Sequence, residues 1–361
     1  MLTLPSSGPS SRLLAGLAAL ALGLAACGGT AGTDAGADAA ASDEVVAAAE
    51  GVTVVATTSI LGDVARQVVG DAGQVEVLMG PGVDPHAFQP SAAQAAALRE
   101  ADLVLANGLD LEEGLLDALA AAEEDGVRVL ELAPQLDPIE YEGSLGHGEE
   151  DHDDDHADED HAVEDEHADD EHGDGDHADE DDHDHGPLDP HVWFDPTRMA
   201  TGVELLAAEL EEVAPDGGWG ERAEAYAAEL RALDDELAGM LDAVPVEQRR
   251  IVTNHEAIGY LAARYDLEVV ETVLPGSSAD AGPDAQGFAE LIETLEREGV
   301  RAIFAENTAS DRLAASLAGE LGEQVVVVEL FTDALGEPGS GAETYVDLLR
   351  TDVELVVDAL T

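Results

Sequence analysis

From Val52 onward the chain alternates short β-branched runs with longer amphipathic segments, and that alternation admits few folds. A strand, a crossover helix and a further strand build a parallel sheet whose faces the helices cover. A first series predicts strands at Val52–Thr58, Val75–Leu78, Leu103–Asn107 and Arg128–Leu132, with helices at Ile60–Val69, Ser91–Ala101 and Leu111–Ala122. Ser91 is an N-cap candidate, because its hydroxyl can accept from the first free backbone amides of a helix. A second series predicts strands at Arg250–Thr253, Glu268–Val273, Ala302–Ala305 and Gln324–Glu329, with helices at Ala257–Tyr265, Asp284–Glu298, Ala309–Gly319 and Glu343–Leu360. Between the two series, Trp219–Val244 is free of proline and rich in Ala, Glu, Leu and Arg, which predicts one long helix joining them and resisting large hinge bending. The expected fold is therefore α/β, with two lobes, residues 51–213 and 248–361, each a mainly parallel sheet flanked by helices. A chain of 361 residues can supply two such cores.

The first 50 residues follow a different logic. Arg12 precedes the apolar run Leu13–Ala26, whose fourteen residues are short for a membrane span and suit the core of a signal peptide, residues 1–26. The run closes on Leu24-Ala25-Ala26-Cys27-Gly28, which resembles a bacterial lipobox, so Cys27 is the expected lipidation site and first mature residue. It is the only cysteine, which rules out an intramolecular disulfide. Residues 27–50, rich in Ala, Gly, Thr and Asp, read as a flexible tether. Export to the outer face of the cytoplasmic membrane is the expectation.

Charge narrows the partners. Against 81 acidic residues stand 14 Arg and no Lys, a formal net charge of -67, which repels a phosphate backbone and attracts cations. Nucleic acid is excluded on that ground, although a solvated acidic surface alone could produce much of the charge. The acidity concentrates in the tract Gly146–Gly186, which holds nine of the twelve histidines: His147, His152, His156, His161, His167, His172, His177, His183 and His185. Like-charge repulsion and scarce apolar groups predict disorder there. Spacings of mostly five or six match neither a helix face nor a strand face, so the tract is expected to bind divalent metal weakly and exchangeably rather than in one fixed site.

Three histidines remain, each in a loop at or near a predicted strand end. His86 lies in Pro81–Ser91 (PGVDPHAFQPS), His191 in Asp189–Pro196 (DPHVWFDP), and His255 in Thr253–Leu261 (TNHEAIGYL). Ligands of open α/β sheets bind beyond the carboxyl ends of the strands. In the first two loops the shared Asp-Pro-His stiffens the backbone that presents the imidazole, which suits a metal ligand.

Those motifs, with Glu329–Gly336 (ELFTDALG) and Ala342–Leu349 (AETYVDLL), resemble the metal-specific solute-binding lipoproteins of bacterial ABC importers, the zinc and manganese group, over essentially Val52–Leu360. The His/Asp-rich insertion resembles that of the zinc-type members. The resemblance implies a metal site in the cleft between the lobes, with His86 and His191 from the first lobe and His255 and Asp333 from the second. It also implies a monomer that delivers its metal to the permease of a cognate importer. Asp333 rests most on the resemblance; its own support is its place just past the strand predicted at Gln324–Glu329. Three imidazoles and a carboxylate suit tetrahedral zinc, and similar manganese binders carry a carboxylate in place of His255. The chain departs from the family pattern in the loop Leu274–Pro283 and at Glu306-Asn307, where proline more often follows the acid. Glu306 either holds a ligand imidazole from behind or is simply a strand-end residue.

Other classes are weighed by the same residues. A manganese or iron(II) binder uses the same fold, and so does a surface adhesin. A zinc hydrolase would continue His255-Glu256 into H-E-x-x-H, but Gly259 stands where the second histidine belongs, so no enzyme is expected.

Overall fold

The computed structural model describes residues 51–141, 188–273, 285–308, 310, 312–322 and 325–361. The signal run, Cys27, the tether, the tract Gly146–Gly186 with its nine histidines and the loop Leu274–Pro283 lie outside the described residues. Among the described residues, no helix is long and apolar enough to cross a membrane.

Two four-stranded sheets, all strands parallel, carry the fold. In the first, β1 (Val52–Ala56), β2 (Gly73–Val77), β3 (Leu103–Ala106) and β4 (Arg128–Glu131) stand in the order β2-β1-β3-β4. The second repeats this order as β6-β5-β7-β8, with β5 (Arg250–Thr253), β6 (Glu268–Thr272), β7 (Ala302–Glu306) and β8 (Val326–Leu330). Central strands buried on both faces explain the wholly apolar β3 and the apolar run Ala302–Ala305 of β7. The two-residue period of a strand sorts these side chains into separate layers. Val54, Leu103, Leu105, Ile251 and Phe304 join one core that spans both sheets. Val55 and Val104 face a second core on the first sheet, and Val252, Ile303 and Ala305 a third on the second.

The helices follow from this sorting. In the shared core lie residues of α1 (Ser59–Val69), α4 (Pro196–Val213), α5 (Trp219–Leu241), α6 (Gly259–Tyr265) and α9 (Tyr345–Leu360). Helices α2 (Ala92–Glu100) and α3 (Leu116–Glu124) cover the outer face of the first sheet, and α7 (Ala285–Glu298) and α8 (Arg312–Leu321) that of the second. Near its start, α5 reaches the first sheet's side, where Arg222 donates to the Val68 carbonyl at 2.6 Å. Farther along, its Asp234 accepts from Arg264 and from the Tyr265 hydroxyl of α6. The long helix thus touches both halves.

Ser91 caps α2 as anticipated, in a full capping box with Gln94. Other boundaries move for local reasons. Helix α3 starts at Leu116 rather than Leu111, because Leu109 and Asp110 take positive φ and Glu112 folds its carboxylate back onto the amides of Asn107 and Gly108. Helix α4 has no counterpart in the sequence reading, which took Asp195-Pro196 as the end of a loop. Those two residues are instead its N-cap and first turn: Asp195 accepts from the amides of Thr197 and Arg198, and proline at the first helical position has no amide to leave unpaired.

Candidate metal centre

The strand ends converge on one point. His86 follows β2, His191 lies on the turn that leads into α4, His255 follows β5 and Asp333 follows β8. All four residues assigned from sequence come together, each offering a ligand atom within 4.8 Å of the others. His191, His255 and Asp333 are at most 5% exposed, and His86 is half-buried. The ring centroid of His86 stands 5.6 Å from those of both His191 and His255.

Each loop is built to hold its side chain. In both Asp-Pro-His motifs the aspartate folds back to accept the histidine's own backbone amide: His86 N donates to Asp84 Oδ1 and His191 N to Asp189 Oδ1, each at 2.9 Å. Aspartate bonding the backbone two residues on is a turn-making habit of this side chain. Deeper in, buried Glu112 accepts from Thr57 Oγ1 at 2.6 Å and from Asn107 N at 2.8 Å, and Asn107 Nδ2 donates to the Pro190 carbonyl at 2.9 Å. That chain of bonds fixes the His191 turn to β1 and β3. The Asp333 loop is tied to the same side: Trp193 Nε1 donates to the Thr332 carbonyl at 2.7 Å, and Leu335 N to Ser59 Oγ at 2.9 Å.

Two imidazoles have carboxylates behind them. His191 Nδ1 lies 2.7 Å from Asp189 Oδ1, and His255 Nδ1 bonds Glu306 Oε1, which also accepts His255 N at 2.9 Å. A protonated Nδ1 held in this way leaves Nε2 for an ion and raises the basicity of the ring. Of the two roles open to Glu306 in the sequence, its geometry matches the support of an imidazole. Asp189 was not singled out from sequence, although the recurrence of aspartate two residues before histidine was a signal for it.

The Nε2 atoms of His191 and His255 are 3.3 Å apart, and His191 Nε2 is 3.5 Å from Asp333 Oδ1. A tetrahedral zinc about 2.0–2.1 Å from its ligands would set neighbouring ligands roughly 3.3–3.4 Å apart. These two edges are already close to that spacing. Asp333 Oδ2 accepts from Thr332 Oγ1 at 2.9 Å, which leaves Oδ1 turned toward the imidazoles.

Charge in the cluster is balanced internally. Burial opposes a charged His191, but Asp189 and Asp333 outweigh it and push the imidazole up to about 10. Burial likewise opposes charge on His255, and Glu306 and Asp333 raise it nonetheless. Asp333 goes the other way: burial works to raise it, but the three imidazoles hold it well below the usual carboxylate range. Without an ion, protons on the imidazoles supply the positive charge that this buried carboxylate demands. A divalent cation can replace them.

The family model described as zinc-uptake complex component A, periplasmic (ZnuA), matches residues 54–359. The manganese-binding lipoprotein MntA of Halalkalibacterium halodurans is 27% identical over 314 residues, 86% of this chain and 89% of that protein. The iron-binding protein YfeA of Yersinia pestis is 27% identical over 312 residues, 84% of either chain. Among solved structures, the periplasmic zinc-binding protein TroA of Treponema pallidum superposes with a TM-score of 0.68 at 25% identity, covering 86% of this chain and 99% of that one.

Proposed function

Because the chain belongs to the family of the periplasmic zinc-uptake complex component A, we propose that it is an extracytoplasmic solute-binding protein that captures zinc and delivers it to an ABC importer. The observation that carries this reading is the convergence of His86, His191, His255 and Asp333. Three imidazoles and one carboxylate form a borderline donor set that suits four-coordinate zinc, whereas manganese takes more oxygen and a higher coordination number. A hydrolase would keep one position open for water, and four protein groups leave none. On this reading the zinc is cargo, held in the cleft and released to the permease.

The competing reading is manganese or iron(II) as cargo, favoured by the names of MntA and YfeA. Zinc outranks both metals at most N/O sites, so simple competition is a weak discriminator. Metal content and growth decide better. Protein purified without added metal is expected to carry one zinc per chain, and a deletion strain is expected to fail in zinc-limited medium and recover with zinc. Recovery with manganese or iron alone would replace zinc by that metal.

The reading includes a signal peptide over residues 1–26, lipid on Cys27 and a tether to residue 50. Cys27→Ser is expected to free the protein from the membrane or leave it unprocessed; undiminished membrane retention would count against acylation there. The nine tract histidines, His147 to His185, serve in this proposal as weak, exchangeable collectors of zinc.

A further inference from the structure

Gly259 opens α6 in a backbone conformation available to any L residue, where alanine would be the better helix former. What requires glycine is the neighbour. A Cβ at Gly259 would stand 2.6 Å from Asp189 Oδ2, closer than real Cβ contacts come, while Ile139 Cδ1, next nearest apart from that carboxylate, would be an ordinary 3.6 Å away. The other oxygen of this buried carboxylate is the one that accepts from His191 N and lies 2.7 Å from His191 Nδ1. The following residue grips the same aspartate from its backbone side. Tyr260 donates its hydroxyl to the Asp189 carbonyl at 2.8 Å and accepts Ile139 N at 3.2 Å.

We propose that Gly259 and Tyr260 are positioning residues for the metal centre: from the second half of the fold they set the carboxylate and carbonyl of Asp189, and through Asp189 they set the His191 ring. The inference rests on the reading of His191 as a ligand. Added bulk at Gly259 must displace Oδ2, and a carboxylate is rigid, so Oδ1 moves with it and its two bonds to His191 are lost. Asp189 and Gly259 line one cavity together with Ile139, Ile258, Glu140 and Glu256, and the displaced side chain would border it. Loss of the Tyr260 hydroxyl acts on the same turn without adding bulk.

Cobalt(II) tests this in the full-length mature chain, because its visible absorption reports ligand geometry. Affinity for cobalt, measured against a competing chelator, and the absorption band would be compared for wild type, His191→Ala, Gly259→Ala, Asp189→Ala, the Gly259→Ala/Asp189→Ala double variant and Tyr260→Phe. Gly259→Ala is expected to weaken binding by about 10- to 100-fold, as loss of a ligand's outer partner does, and to alter the band. Once Asp189 is alanine, the glycine substitution should add less than about twofold, since coupled residues are not additive. Tyr260→Phe should weaken binding and shift the band in the same direction, and it stands as the test should Gly259→Ala fail to fold. A wild-type band and affinity in Gly259→Ala, or an undiminished further loss in the Asp189→Ala background, would overturn the positioning role. If the wild type gave no stoichiometric band, or His191→Ala bound as wild type, the ligand assignment itself would fail and this inference with it.

Discussion

Replacing His255 by alanine is expected to lower zinc affinity by about 100-fold or more. Four-ligand zinc sites bind with roughly 10–16 kcal/mol, so one ligand's share is about 3 kcal/mol, or some two powers of ten. His255→Ala also removes one of the two donors from which Glu306 Oε1 accepts, leaving a buried carboxylate without its ring partner. The same reasoning applies to His191→Ala and Asp189. His86 is only half-buried, so His86→Ala is expected to cost less than either. Chelator competition with the three single variants checks both the size and the order. Equal affinity in wild type and His255→Ala would mean that the ligands are misassigned.

The second expected result is a steep pH dependence with a definite sign. An imidazole binds metal only without its proton at the ligating nitrogen. In the metal-free protein His191 is pushed up to about 10 and His255 is also raised, so at neutral pH the ion must displace at least one proton from the cluster. Affinity should rise about tenfold per pH unit for each proton displaced, and so by at least 100-fold between about pH 6 and pH 8. Composition alone places the loss only below the ordinary histidine value near 6.5; the carboxylates around the rings move the window upward. Stability of the metal-free protein runs the opposite way. A histidine raised in the folded state contributes stability that is full below about 6.5 and is lost as the pH climbs through the folded value. The metal-free melting temperature should therefore fall with rising pH while zinc affinity grows. Calorimetric titration at pH 7 in buffers of different ionisation heat counts the protons released, and a count of zero would contradict this account.

The parts of this protein that are legible in its sequence are those decided locally. The bounds of β5 match the apolar run Arg250–Thr253, and the Ser91 cap follows from its own side chain and that of Gln94. The site histidines stood out once the tract histidines were set aside, because the motifs around them are short and contiguous. What escaped depends on distant partners or on one residue serving two roles. Glu306 meets His255 across 51 positions and Asn107 meets Pro190 across 83, separations that no spacing rule reaches. Pro196 both closes a ligand loop and opens α4, and reading it only as a loop residue hid an eighteen-residue helix. Gly259 argued against a metallopeptidase in the sequence, yet the reason glycine is needed there, the Asp189 carboxylate, lies 70 residues away.

The central claim is that zinc is held by the four residues of the cleft rather than by the histidine-rich tract. A tract with the disorder its composition predicts would lose about 1–2 kcal/mol of entropy for each residue it orders around an ion, whereas the loops that carry His86, His191, His255 and Asp333 are already braced. Zinc titration of a protein lacking Gly146–Gly186 separates the two directly. The account predicts one tight site of unchanged affinity with the weaker sites gone; disappearance of the tight site would place the ligands in the tract and contradict it.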